Sequence, residues 1–164
     1  MSMDTKLTKE EVTAFVGKNA DYYYKRWTPL IEGQDWTGFN WAPFFFSGFW
    51  LPYRKMYQTA FGFYGCIFLA TVIEEISSDH GTPQTQTLWH TLRLAAAIIC
   101  GAYGNRWYFN HARDVIAQVR SKQLPDNVFM NELSKRGGTS IVAGVGFFVV
   151  FAAALSAIAF LMRS

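Results

Sequence analysis

Residues 139–162 read TSIVAGVGFFVVFAAALSAIAFLM, two dozen residues without a charge, introduced by Gly137 and Gly138 and closed by Arg163. At a helical rise of about 1.5 Å per residue this stretch covers the roughly 30 Å hydrocarbon core of a bilayer, and it predicts a membrane-spanning helix. Ala152 with Ser156, and Ala153 with Ala157, stand four apart on it, so one face is small enough for another helix to approach closely. The spacing speaks for packing and leaves open whether the neighbour belongs to the same chain.

The remaining apolar residues fall into blocks as well. Tyr57 to Ile73 is just long enough to span and ends at Glu74 and Glu75, before a polar loop with Asp79, His80, Gly81 and Pro83. Leu88 to Gly104 makes a further span, and His90 and Arg93 require that end to lie near headgroups or to face protein. Its apolar stripe continues through Trp107, Tyr108, Ala112, Ile116 and Val119, between Arg106, Arg113, Asp114 and Arg120, so the helix is expected to run on into water. Pro125 and Asp126 mark a turn within the loop 106–138.

Between Phe39 and Tyr53 the chain is densely aromatic and exits through Arg54 and Lys55. As a helix it would cover about 22 Å, short of a bilayer, and Pro43, Gly48 and Pro52 are expected to break or kink it. An interfacial or re-entrant hairpin over 39–53 is the reading. Before it, Thr8 and Glu11 have capping-box spacing, and Val12, Phe15, Val16, Ala20, Tyr23, Trp27 and Ile31 recur at helical spacing opposite Lys9, Glu10, Lys18, Asp21, Lys25 and Arg26. The expected architecture is all-α and integral to a membrane: a cytoplasmic amphipathic segment at 1–37, then a membrane domain at 38–164 with spans at about 57–73, 88–104 and 139–162.

Composition and charge agree. Of 164 residues, 51% are apolar and 18% aromatic, and the charges gather between the apolar blocks, as in a chain divided between bilayer and water. Seven Lys and Arg precede the first span (Lys6, Lys9, Lys18, Lys25, Arg26, Arg54, Lys55), and none lies in the loop from Glu74 to Thr87. Six follow in the next loop: Arg106, Arg113, Arg120, Lys122, Lys135 and Arg136. That alternation places the N-terminus and the loop 106–138 in the cytoplasm and the C-terminus outside; a crossing at 39–53 would spoil it. No cleavable signal peptide is expected, since the first apolar block begins only near Phe39. Cys66 and Cys100 both lie in apolar blocks, where they read as small buried residues with no need of a disulfide.

Phe39-Asn40-Trp41-Ala42 and the run Trp50-Leu51-Pro52-Tyr53-Arg54-Lys55-Met56-Tyr57 resemble the bacterial membrane family named domain of unknown function 2628. Gly104-Asn105-Arg106 with Tyr108 and His111, Gly137-Gly138-Thr139-Ser140, and the segment Phe15 to Trp27 are similar to other blocks of that family. The resemblance implies a bacterial inner-membrane location, and neither an activity nor catalytic residues.

No residue set has the spacing of a reaction mechanism. His80, His90 and His111 are expected in three different places, so no metal site is expected, and phosphate-loop, nucleophile-elbow and Cys-x-x-Cys patterns are absent from the sequence. The basic residues follow topology with no groove-like cluster, which sets nucleic acid aside. The chain reads as neither enzyme nor cofactor carrier. Two polar groupings remain. Asn40, Trp41, Trp50, Arg54, Lys55, Asn105 and Arg106 would meet at the cytoplasmic face as a lipid or partner contact, with a basic collar for lipid phosphate as one form and ordinary positive-inside residues as the other. His90 and Arg93, one turn apart, would form an outer site for an anion or quinone-like carbonyl, or would simply snorkel to headgroups. The function expected is a non-catalytic accessory or scaffold subunit of an inner-membrane assembly, in contact with lipid and with a membrane-protein partner or its own copies. A small oligomeric channel or transporter using 39–53 as a re-entrant element is the alternative.

Overall fold

The computed structural model describes residues 7–76 and 83–163, which form seven α-helices and no strand. Thr8 caps α1 (Lys9–Val16) with the full reciprocal capping box: its hydroxyl accepts from the Glu11 N–H, and the Glu11 carboxylate accepts from the Thr8 N–H. The amphipathic helix expected to run on to Ile31 is broken. Gly17 and Asn19 both take positive φ, 65° and 72°, and the chain restarts as α2 (Ala20–Ile31). The predicted face survives the break, with Val12, Phe15, Val16, Ala20, Tyr23 and Trp27 all buried.

The segment expected to be broken or kinked into a hairpin is α3 (Trp41–Tyr53), two helical stretches joined at a kink where Phe46 leaves helical geometry (φ −113°, ψ 15°); the kink is present and the hairpin is not. Pro43 does not itself break the helix, because it lies in the first turn, whose N–H groups have no intrahelical acceptor anyway. Asn40 caps the start, accepting from the Ala42 N–H. At the end, Lys55 adopts φ 59°, the Lys55 N–H donates to the Pro52 carbonyl and the Met56 N–H to the Leu51 carbonyl. That is a Schellman motif, completed by burial of Leu51 and Met56.

α4 (Tyr57–Ile76) leads away from this point, α5 (Pro83–Arg120) returns over 38 residues, α6 (Asp126–Arg136) turns back beneath α1, and α7 (Ile141–Arg163) leads away again. Of the expected outer loop, Asp79, His80 and Gly81 lie outside the described residues. α3 is wedged among α5, α7 and α4. It fits because glycines face it: Pro43 lies against Gly104, the Phe39 ring just before it against Gly101, and Phe49 against Gly144. Gly137 passes against the Phe15 carbonyl, which accepts from the Gly138 N–H, and the Ser140 N–H donates to the Tyr53 carbonyl. The start of α7 is thereby tied to α1 and α3.

One core joins α1, α2, α6, the end of α3 and the second half of α5, where Tyr108, Ala112, Ile116 and Val119 are buried against Phe15, Tyr23 and Trp27. Burial of each such large side chain contributes about 1.5–3 kcal/mol. The bidentate Glu11–Arg120 pair, 2.6 and 2.7 Å, fastens α1 to the end of α5. Beyond this headpiece the pattern reverses. Phe61, Leu69 and Ile73 of α4, Leu88, Leu94 and Ile98 of α5, and Val142, Phe148 and Val150 of α7 are all exposed. Among the described residues one stretch is long and apolar enough to cross a membrane, within residues 126–158 and so in α7, and 6% of it is buried.

Candidate functional site

A pocket of about 580 Å³ opens between α2 and α3. Asn19, Tyr22 and Tyr23 form one wall, and α3 forms the other through Trp41, Phe46, Phe49 and Trp50, with Asn40 at its start and Tyr53 and Arg54 at its end. The two ends of α3 are fixed separately. Asn40 is buried and donates its side-chain N–H to Asn105 Oδ1 at 2.7 Å, while its backbone N–H donates to the Gly101 carbonyl at 2.8 Å. Asn105, fully buried, donates in turn to the Gly38 carbonyl, and its own carbonyl accepts from Trp27 Nε1. Arg54 sits at the C-cap that the Schellman turn defines.

Arg54 is the unusual member. It is 4% exposed, and among the described residues no carboxylate pairs with it. Its guanidinium lies over the rings of Tyr23 at 4.7 Å, Tyr108 at 5.1 Å and Tyr53 at 5.9 Å. Nη1 reaches the Tyr108 hydroxyl at 3.5 Å, and Nε is buried without a partner. A guanidinium does not shed its charge on burial, and an uncompensated buried ion costs several kcal/mol, against roughly 1–2 kcal/mol returned by each desolvated cation–π contact. Burial raises the Tyr23 phenol above its ordinary value and raises Tyr108 strongly, the Arg54 charge opposing both. Both phenols are therefore neutral at physiological pH, and neither supplies the missing negative charge.

The seven residues expected at one face divide. Asn40, Trp41, Trp50 and Arg54 line the pocket, and Asn105 lies behind Asn40 as its anchor. Lys55 points the other way: the positive φ at this residue turns its side chain to the Lys135 carbonyl at the end of α6. It borders a second, smaller cavity of about 290 Å³ with His111 and Asp114. Arg106 is exposed and pairs with Asp35 at 3.4 Å, so no continuous basic collar forms. On the outer grouping, Arg93 is paired with Glu74 at 3.1 Å, which neutralises the cation an anion would need, and His90 is exposed. The tyrosines around Arg54 were missed by sequence reasoning. Tyr23 and Tyr108 were legible only as buried-face residues, because the box joins positions 23, 53 and 108.

Among the described residues no three His, Cys, Asp or Glu side chains gather where they could hold a metal ion. What the pocket offers is binding chemistry: one unneutralised cation, amide and phenol groups beside it, and an aromatic wall.

No curated protein and no solved structure matches the chain. Residues 6–113, about two thirds of the chain and inclusive of every residue lining the pocket, match the family described as Protein of unknown function (DUF2628), and the chain belongs to that family.

Proposed function

We propose that this protein is a membrane-embedded, non-catalytic scaffold, a folded cytoplasmic headpiece mounted on three apolar helices, that holds another membrane component at the inner face of a bacterial membrane. The observation that carries this reading is the reversal of burial along α5. Tyr108, Ala112, Ile116 and Val119 are buried, whereas Leu88, Leu92, Leu94, Ile98 and Ile99 on the same helix are exposed. α4 and α7 expose their apolar side chains on the same side of the headpiece. Surfaces of that extent are not left to water, and lipid is their natural solvent. In this arrangement α3 lies in the interface, its exposed Trp41, Phe45 and Phe46 at headgroup level, and the termini of the chain are on opposite sides of the membrane.

Two measurements test it. Membranes carrying the protein are washed at alkaline pH, and Lys25→Cys and Thr87→Cys are probed from each side with an impermeant maleimide. Retention of the protein with opposite-side labelling of the two positions supports the placement, and release or same-side labelling refutes it. The scaffold role is tested by gentle extraction from the native membrane and mass spectrometry of what remains bound. A stoichiometric companion or a homo-oligomer supports it, and a lone monomer refutes it.

A further inference from the structure

We propose that the pocket between α2 and α3 binds the phosphate of an anionic amphiphile, with Arg54 as its cation and the aromatic wall of α3 as the seat of its apolar part.

The charge comes first. Arg54 is 96% buried, its Nε has no partner among the described residues, and its side-chain hydrogen bond to the Tyr108 hydroxyl is long at 3.5 Å. A guanidinium presents five N–H donors in a planar fork, and phosphate oxygens match that fork better than any neutral acceptor does. A neutral occupant would leave the charge uncompensated, and a metal cation would be repelled. The ring box of Tyr23, Tyr53 and Tyr108 resembles a cage for a quaternary ammonium group, but Arg54 already fills it. A choline headgroup is therefore excluded from the box, and an anion beside it is favoured.

The shape comes second. About 580 Å³ accommodates a headgroup and the first carbons of a chain, within the ordinary range of ligand pockets. Its walls are graded: Asn19 and Asn40 supply amides and Tyr22 and Tyr23 phenols, while Phe46, Phe49 and Trp41 supply an apolar side that is partly open. A free phosphate would use only the first part of that gradient. The choice of a lipid as the source rests on the membrane placement proposed above, whereas the phosphate chemistry does not.

The full chain, purified in an uncharged detergent, is titrated with short-chain phosphatidylglycerol, short-chain phosphatidylcholine and inorganic phosphate, and Trp fluorescence is read, since Trp41 and Trp50 line the pocket. Saturable binding of phosphatidylglycerol at least about tenfold tighter than phosphatidylcholine is expected, with inorganic phosphate competing only weakly. Arg54→Gln abolishes the preference. Because that variant removes a buried group and endangers folding, Asn19→Asp and Asn19→Gly carry the test independently. Both tolerate the positive φ at this exposed position, and only the first puts a negative charge at the rim. Asn19→Asp should weaken phosphatidylglycerol several-fold more than Asn19→Gly does, since both remove the amide and only the first adds a negative charge. Equal affinity for the two lipids, or no effect of Asn19→Asp, overturns the proposal, and inorganic phosphate binding as tightly as phosphatidylglycerol overturns its amphiphile part. If alkaline washing releases the protein while Asn19→Asp still loses the preference selectively, the membrane placement fails and the pocket stands.

Discussion

Replacing Asn105 by Ala should cost more than any other single amide substitution in the chain. Asn105 is fully buried, accepts from Asn40 Nδ2 at 2.7 Å and donates to the Gly38 carbonyl at 3.3 Å. Asn105→Ala leaves both partners without this bond, and Asn40 is itself buried at 3% exposure. One stranded buried group costs about 1–3 kcal/mol, and the weaker bond to Gly38 adds a smaller amount, so the total is about 2–4 kcal/mol. For a chain of this size that corresponds to a fall in the unfolding midpoint on the order of 5–15 °C. The Trp27 bond goes to the backbone carbonyl of residue 105 and is retained, so the loss belongs to the side-chain pair. Asn40→Ala should cost about 2–3 kcal/mol, through the lost cap of α3 and the stranded Asn105 oxygen. In the double variant neither partner is stranded, and the combined loss should fall short of the sum by about 1–2 kcal/mol. The measurement is thermal unfolding in detergent, followed by near-ultraviolet circular dichroism and Trp fluorescence for all four proteins. Additivity within about 0.5 kcal/mol, or an Asn105→Ala midpoint within about 2 °C of the parent, would refute the reasoning.

Other consequences can be checked on the same preparation. Gly104→Ala places a methyl 2.7 Å from Pro43 Cγ and 3.0 Å from its Cβ, so α3 must shift outward; a loss of about 1–3 kcal/mol and altered Trp50 fluorescence are expected. Glu11→Ala removes both the reciprocal cap of α1 and the bidentate pair with Arg120, and should lower stability by about 1–3 kcal/mol, whereas Lys9→Ala, whose pair with Asp21 is exposed, should change it by less than about 0.5 kcal/mol. His111 is held below its ordinary value of 6.5 by burial, with Asp114 opposing, so the folded state favours the neutral ring. As pH falls through 6.5 the unfolded chain takes up the proton first and stability declines; the drop between pH 7.5 and 5.5, read as an unfolding midpoint, should shrink in His111→Phe.

Much of the headpiece was legible because it depends on local rules. The capping box at Thr8 and Glu11 is read from two residues three apart, and the buried face from Val12 to Trp27 follows from helical spacing. The break at Gly17 left no trace in that spacing, because the chain resumes with the periodicity in phase. The kink expected of α3 is present at Phe46, but Pro43 does not end the helix: a Pro disrupts a helix by removing an N–H that needs an acceptor, and at position 43 none is needed. The site was less legible. Adjacent cations at 54 and 55 look equivalent in sequence, yet one is buried in a tyrosine box and the other caps α6, since the left-handed turn at Lys55 separates them. That turn usually belongs to Gly, and a Lys gives no sign of it.

The junction at residue 105 explains why the site lies where it does. α5 is one continuous helix, yet Leu88, Leu92, Leu94, Ile98 and Ile99 before Asn105 are exposed, and Tyr108, Ala112, Ile116 and Val119 after it are buried. At such a boundary neither environment satisfies polar groups reliably, so the chain must bring its own partners, and Asn40, Asn105 and Trp27 do this. Gly101 and Gly104, just ahead of the boundary, let α3 lie close enough for that network to form. α3 is thus held at its start by amides and at its end by a turn that buries Arg54. An aromatic helix clamped at both ends presents a fixed wall, and a cation held by rings alone retains capacity for an anion. The most apolar helix, α7, begins beyond the matched residues 6–113, whereas the clamp and the cation lie within them. Whatever α7 adds in anchoring, the groups proposed to bind lie in the part of the chain that the family match covers.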